Sequence, residues 1–257
     1  MNDPKDPRAA DASPAPLTRR ELRARRDADA TADAEAASPA SRAPFAGASP
    51  TGSPAAVPDH ESVPTILTVC TGNICRSPMA EVLLRARLGG LGVRVHSAGT
   101  HGLTGEGMTD LAQEVAIAAG ADPHDAAAHE ARYLLDPLLA ESDLILTMTR
   151  EHRSHVVQMM PSLLRRAFTI REFARLASAT GDDEIHAAMA GPGPDRRARL
   201  QALGRVLSDH RGMVPGFPED DDVLDPYRRP REVYEEAAAL LAPALTEVER
   251  VVTLALA

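Results

Sequence analysis

Residues 66–80 of this 257-residue chain read Ile-Leu-Thr-Val-Cys-Thr-Gly-Asn-Ile-Cys-Arg-Ser-Pro-Met-Ala, an apolar run that meets a Cys-x5-Arg-Ser loop and then a helix start. That order constrains the fold more than any other stretch. A near-continuous apolar run of this length suits the interior of a parallel sheet, and the loop after it must turn into a helix within a few residues. Cys70 falls where the strand ends. Gly72 and Asn73 tolerate left-handed backbone angles, and Ser77-Pro78 reads as an N-cap followed by the first helical residue. Backbone amides from Thr71 through Gly72, Asn73, Ile74 and Cys75 to Arg76 then converge on one anion, with the positive end of the helix behind them. Arg76 adds a planar fork for two phosphate oxygens. The same field favours Cys70 as a thiolate, the nucleophilic form of the side chain.

From Pro64 onward, apolar strand-like runs alternate with helical patterns, the signal for a parallel sheet covered by helices on both faces. Strands are expected over 65–69, 93–97, 143–148 and 167–170. Helices are expected over 77–89, 110–119, 150–160 and 231–251. The fold class is therefore α/β, a three-layer sandwich around a central four-stranded parallel sheet, with the phosphate-binding loop after the first strand. Ligands of such sheets sit beyond the carboxyl ends of the strands, which is where Cys70 lies. Residues 178–222 interrupt the alternation with Gly-Pro-Gly-Pro at 191–194, a helical pattern over 195–210 and an acidic run at 219–222. The folded domain is expected over 64–257 with an insertion around 178–222. Residues 1–63 are rich in Ala, Pro and Ser, and carry too little apolar surface to offset the entropy of ordering, so they read as a disordered extension. Within them, a basic run at 17–26 reads as solvated charge, or as a short helix docking on an acidic partner or membrane surface.

The formal charge is −9, Lys5 is the only lysine, there is no Trp, and aromatic residues make up 3% of the chain. This composition excludes a nucleic-acid-binding class, which needs a basic stripe with interleaved aromatics. The excess of Arg and Ala reads as a GC-rich bacterial coding bias. No apolar leader and no run near the roughly 18 residues of a membrane span occur, so a cytoplasmic protein is expected. Its two cysteines, Cys70 and Cys75, share one loop. That suits a reducing compartment, and excludes both a disulfide scaffold and a four-cysteine zinc site. No metal or other cofactor is expected.

The segment Val-Cys-Thr-Gly-Asn-Ile-Cys-Arg-Ser-Pro resembles the signature of the low-molecular-weight protein tyrosine phosphatases, in its intervening residues as well as in its Cys and Arg. The resemblance implies hydrolysis of phosphotyrosine through a cysteinyl phosphate. Such chemistry needs a proton for the leaving phenolate, and a carboxyl group held protonated by anionic surroundings is the expected donor. Asp-Pro pairs occur at Asp3, Asp6, Asp122, Asp136 and Asp225, and each alone reads as a turn or a helix start. Only Asp225 leads into an aromatic residue, and Asp225-Pro226-Tyr227 resembles the family's Asp-Pro-aromatic loop, whose Asp is the general acid. By the same resemblance Asn73, Ser77, Ser97 and His129 support the phosphate loop, and Ser77 can donate its hydroxyl to Cys70. A strand-end serine and an imidazole without a role are the plain alternatives for Ser97 and His129. Cys75 reads as a small packing residue or, as the resemblance implies, as the partner of Cys70 in a reversible disulfide. One departure concerns the substrate wall. After Ser-Ala-Gly-Thr the family often places an aromatic, where this chain has His101-Gly102-Leu103; Leu103 and Tyr227 are left to contact a ring, with Tyr227 the main aromatic candidate.

Other activities of similar architecture bear on this reading. Arsenate reductases need further cysteines or a small thiol; no cysteine follows Cys75, which leaves only a thiol-assisted version. Protein arginine phosphatases resemble this loop, Thr71 included, but carry Thr where this chain has Ile74, and the bulkier Ile favours a flat phenyl group over a guanidinium. A noncatalytic phosphotyrosine-binding scaffold is opposed by Cys70, Arg76 and Asp225 standing together. The expected partner is a phosphotyrosine protein, for which family analogy suggests a bacterial tyrosine kinase.

Overall fold

A computed structural model describes residues 63–257; apart from Val63, the extension expected over 1–63, with its basic run, lies outside the described residues. In chain order the first elements are β1 (Thr65–Cys70), α1 (Arg76–Leu88), β2 (Arg94–Gly99), α2 (Asp110–Ala118), α3 (Pro123–Ala127), α4 (Asp136–Glu141) and β3 (Leu144–Thr147). Then follow α5 (Arg150–Met159), β4 (Ala167–Thr169), α6 (Ile170–Ala179), α7 (Asp182–Met189), α8 (Arg196–Asp209) and α9 (Arg231–Leu256).

The four strands form the expected parallel sheet, in the order β2-β1-β3-β4. Every residue of β1 is buried, which explains its near-continuous apolar run. Ile66 and Cys70 join one core with α1, α6, α8 and α9, while Leu67 and Val69 join the opposite one with Leu139 of α4 and Val156 of α5. The chain leaves β1 for β2 on one side and later returns to pair β3 on the other. The two connections part at the carboxyl end of β1, the switch point where such sheets open a crevice.

Several expected boundaries move for identifiable reasons. Ile170 is not strand but the first residue of α6, because the Thr169 hydroxyl accepts the Glu172 amide at 3.0 Å and caps a helix there. Asp122 likewise caps α3, accepting the His124 amide at 2.7 Å, and Asp136 opens α4. The final helix runs through Pro243 to Leu256, past the expected end at 251.

The interrupted region is built rather than looped. Asp195 caps α8 by accepting the amides of Arg197 and Ala198, and α7 and α8 bury Ile185, Met189, Leu200, Leu203 and Leu207 in the larger core. Asp143, fully buried beside β3, accepts the Thr65 amide at 3.0 Å, Arg197 Nε at 3.0 Å and Gln201 Nε2 at 2.7 Å. Helix α8 thus reaches the end of the sheet opposite Cys70. No helix among the described residues is long and apolar enough to cross a membrane.

Candidate active site

Cys70 ends β1, and Thr71, Gly72, Asn73, Ile74 and Cys75 arch over to Arg76, the first residue of α1. Two local readings meet the backbone here, and one of them is corrected. Asn73 takes the left-handed backbone, at φ 58°, but Gly72 does not. A Cβ at Gly72 would touch Ile74 Cγ1 at 3.4 Å and Leu103 Cδ1 at 3.8 Å, so the glycine leaves space between these walls. Ser77 is not the N-cap: the helix begins at Arg76 and no side chain caps it, which places Ser77 and Pro78 inside the first turn. Proline loses no intrahelical bond there, because the first four amides of a helix have no partner within it. These uncapped amides are the ones an anion would use. Gly99, in Ser-Ala-Gly-Thr, must be glycine, since a Cβ would lie 2.3 Å from the Thr71 carbonyl oxygen.

A relay of buried polar groups fixes the loop from behind. Glu81, 2% exposed on α1, accepts the hydroxyl of Ser97, which commits that proton and leaves Ser97 Oγ to accept Asn73 Nδ2 at 2.6 Å. The second Asn73 amide proton goes to Ser77 Oγ at 3.0 Å, so the Ser77 hydroxyl is free to point at Cys70 Sγ, 2.9 Å away. Asn73 Oδ1 accepts the Arg132 amide at 2.9 Å, which settles the orientation of the side chain. His129 Nε2 lies 2.8 Å from the Asn73 carbonyl oxygen and its Nδ1 lies 3.4 Å from Glu81. Burial alone would push the Glu81 carboxyl up, but the bonds from His129 and Ser97 and the charge of Arg85 outweigh it and bring the carboxyl below its ordinary range.

On the open side, Arg76 reaches across to the chain that precedes α9. Its Nη2 donates to Asp225 Oδ2 at 2.8 Å and to Thr71 Oγ1 at 3.4 Å, and its Nη1 donates to the Val223 carbonyl at 3.2 Å. The surroundings of Asp225 are therefore cationic, in contrast to the anionic setting expected for it. Its side chain is half-exposed, and Oδ1 accepts the Tyr227 amide at 3.1 Å. A cleft of about 280 Å³ opens over Cys70, lined also by Ile74, His101, Leu103, Asp225 and Tyr227. Cys75 also reaches it; burial pushes its thiol up, and the sulfur lies 3.5 Å from Thr109 Oγ1 and 3.9 Å from the Tyr234 hydroxyl.

The site residues from Cys70 to Ser77, with Ser97, Leu103, His129, Asp225 and Tyr227, thus gather within this one region, but the sequence reading missed several others. Glu81 is the single charge in the apolar run Met-Ala-Glu-Val-Leu-Leu, four positions after Ser77 and so on the same helix face, a usable signal. His152 in α5 sets Nε2 2.9 Å from Thr71 Oγ1 and Nδ1 2.8 Å from Thr149 Oγ1. Burial, reinforced by the Arg76 charge, lowers its pKa to about 4, so it is neutral near pH 7. Its place just after β3, at the ligand-binding end of the sheet, was the available clue.

A thiol with a hydroxyl donor at its sulfur, a ring of helix-start amides, a guanidinium and a carboxyl across the cleft can together hold and transfer a tetrahedral oxyanion. Residues 65–190 match the family model for low molecular weight phosphotyrosine protein phosphatases, a span that ends before Asp225. The phosphatase Etp of Escherichia coli K12 is 43% identical over 99 residues, covering 38% of this chain and 64% of that protein, just under two thirds. The phosphatase Wzb of Salmonella typhi is 30% identical over 178 residues, covering 68% of this chain and 85% of its own. Among solved structures, the YwlE arginine phosphatase of Geobacillus stearothermophilus aligns with a TM-score of 0.51 and 26% identity, covering 72% of this chain and 90% of that one. The chain belongs to the low molecular weight phosphotyrosine protein phosphatase family.

Proposed function

We infer that the protein hydrolyses phosphotyrosine in proteins by way of a cysteinyl phosphate. The observation that carries this reading is the position of Cys70 Sγ, 2.9 Å from the Ser77 hydroxyl, in a cleft that Arg76 and Asp225 also line in contact with each other. Cys70 attacks phosphorus in line while Arg76 and the loop amides hold the equatorial oxygens, so positioning and electrostatics supply most of the rate. A bound phosphate dianion competes with Asp225 for Arg76, which releases the Asp225 side chain to face the leaving oxygen. Asp225 then protonates the departing phenol and afterwards takes a proton from the water that attacks the cysteinyl phosphate. The Ser77 hydroxyl stabilises the sulfur as it leaves in that second step. The substrate ring packs against Ile74, Leu103 and Tyr227, which line the cleft.

Under oxidation, Cys75 closes a reversible disulfide with Cys70. The family resemblance supports a cytoplasmic setting and a bacterial tyrosine kinase as substrate protein. Similarity to an arginine phosphatase structure raises a second reading, phosphoarginine as substrate, which the apolar bulk of Ile74 opposes. Steady-state comparison of phosphotyrosine, phosphoserine, phosphoarginine and arsenate with added thiol separates these. Phosphotyrosine should give the highest kcat/KM; a higher value for phosphoarginine, or thiol-dependent arsenate reduction, would replace the assignment.

A further inference from the structure

The acidic run before Asp225 is used by the fold, in a way the reaction described above does not include. Both oxygens of Asp221 accept Arg175 Nη2, at 2.9 and 3.2 Å. Asp222 Oδ1 accepts the backbone amide of Arg150 at 2.7 Å, and Oδ2 accepts Nη2 and Nε of the same arginine at 3.0 and 3.2 Å. The Asp222 carbonyl accepts Arg171 Nη1 at 3.1 Å. One residue on, the Val223 amide donates to the Met148 carbonyl at 2.8 Å, just past the end of β3. The chain that carries Asp225 is therefore fastened at 221, 222 and 223 before it crosses to Arg76.

The first turn of α5 contacts both the chain leading to Asp225 and the phosphate loop. Arg150 opens this helix and grips Asp222, and His152, on the same turn, touches Thr71 of the phosphate loop. The Arg150–Asp222 pair is 48% and 32% exposed, and pairs this open add little stability. What the doubled contact does offer is direction: a bidentate guanidinium plus a backbone amide fixes the carboxylate in one orientation.

We propose that Asp222 and Arg150 are positioning residues for the reaction, holding the Asp225 loop at the height over Cys70 from which Asp225 can reach the leaving oxygen. This rests on Asp225 as the proton donor. Misplacing a reacting group by about 1 Å can cost on the order of 10² in rate, so loosening the pair should be visible without touching the cleft.

The test compares kcat/KM, which reports phosphoryl transfer to Cys70, across aryl phosphates whose phenols range from strongly acidic to tyrosine-like. Asp222→Asn keeps an acceptor for the Arg150 amide, and Arg150→Gln keeps the amide itself, so two independent variants probe one contact. Each should lose about tenfold on the tyrosine-like substrate and less than about twofold on the acidic one, with vanadate inhibition unchanged, a steeper dependence on the leaving group. Exchanging the partners, Arg150→Asp with Asp222→Arg, should recover part of the loss. Asp225→Asn is run alongside. If it steepens the dependence and the other two do not, or if they lower all substrates equally, the positioning role is refuted while the proton donor stands. If Asp225→Asn leaves the dependence unchanged, the proton-donor reading fails and the positioning role falls with it.

Discussion

Acidification should destabilise this fold at two buried imidazoles, and the size of the effect can be worked out. His96 and His152 are 7% and 6% exposed, and each has its pKa lowered to about 4. For His96 burial comes first, with Arg132, Arg94 and Arg85 adding to it and Glu81 opposing. For His152 burial is joined by Arg76 and His155 and opposed by Asp225 and Asp222. In the unfolded chain an imidazole titrates near 6.5. The sign follows directly: between pH 6.5 and 4 the unfolded state binds the proton and the folded state does not, so stability is complete above the unfolded value and is lost as pH falls toward 4. At pH 5 the unfolded rings are almost all protonated and the folded ones about a tenth, a difference of about 2 kcal/mol per ring and about 4 kcal/mol for both. Against a typical total of about 5–15 kcal/mol that is a large share. Urea unfolding at pH 7 and pH 5 measures it. Carboxylates contribute to the same drop, so the informative quantity is the change on substitution: in His152→Gln the loss between the two pH values should shrink by about 2 kcal/mol. Parallel curves for the wild type and His152→Gln, or a His152 proton resonance titrating near 6.5, would refute the reasoning.

Cys70→Ser should abolish turnover yet still bind vanadate, because Arg76 and the loop amides remain while an alcohol offers no comparable thiolate; measurable hydrolysis above background would exclude covalent catalysis by Cys70. Glu81→Gln removes the charge that faces His129, Ser97 and Arg85, and should cost about 3 kcal/mol in urea unfolding. It should also lower kcat, since Ser97, Asn73 and Ser77 transmit its orientation to Cys70; unchanged kcat would detach the relay from the chemistry. Mild peroxide should inactivate the wild type in a way that added thiol reverses, whereas Cys75→Ser should go on to irreversible products. Equal recovery of both proteins would reduce Cys75 to a packing residue.

How much of this was legible in the sequence depended on whether the signal was local. The apolar run of β1, the loop residues and the alternation after Pro64 predicted the sheet, because each strand's composition answers to its own burial on both faces. Thr169-x-x-Glu172 was a readable cap that the strand pattern of 167–170 masked, since a three-residue strand and a helix start share the same letters. The relay behind Cys70 was partly legible as residue types. Its geometry was not, because Glu81 on α1, Ser97 on β2 and His129 in the loop after α3 are separated along the chain and meet only in the fold. The cationic setting of Asp225 was illegible for a like reason: Arg76 lies 149 positions away along the chain.

Asp143 carries a consequence for anyone who would shorten this protein. Its carboxylate is fully enclosed, and two of its donors, Arg197 and Gln201, come from α8. Excising 182–209 to make a smaller enzyme would strand an ion in the interior and strip the cover from the apolar side chains around Leu203. The excision becomes tolerable only if Asp143 is exchanged at the same time for a residue that needs neither donor. The aspartate and α8 are one unit of design, to be kept or discarded together, at the end of the sheet farthest from Cys70.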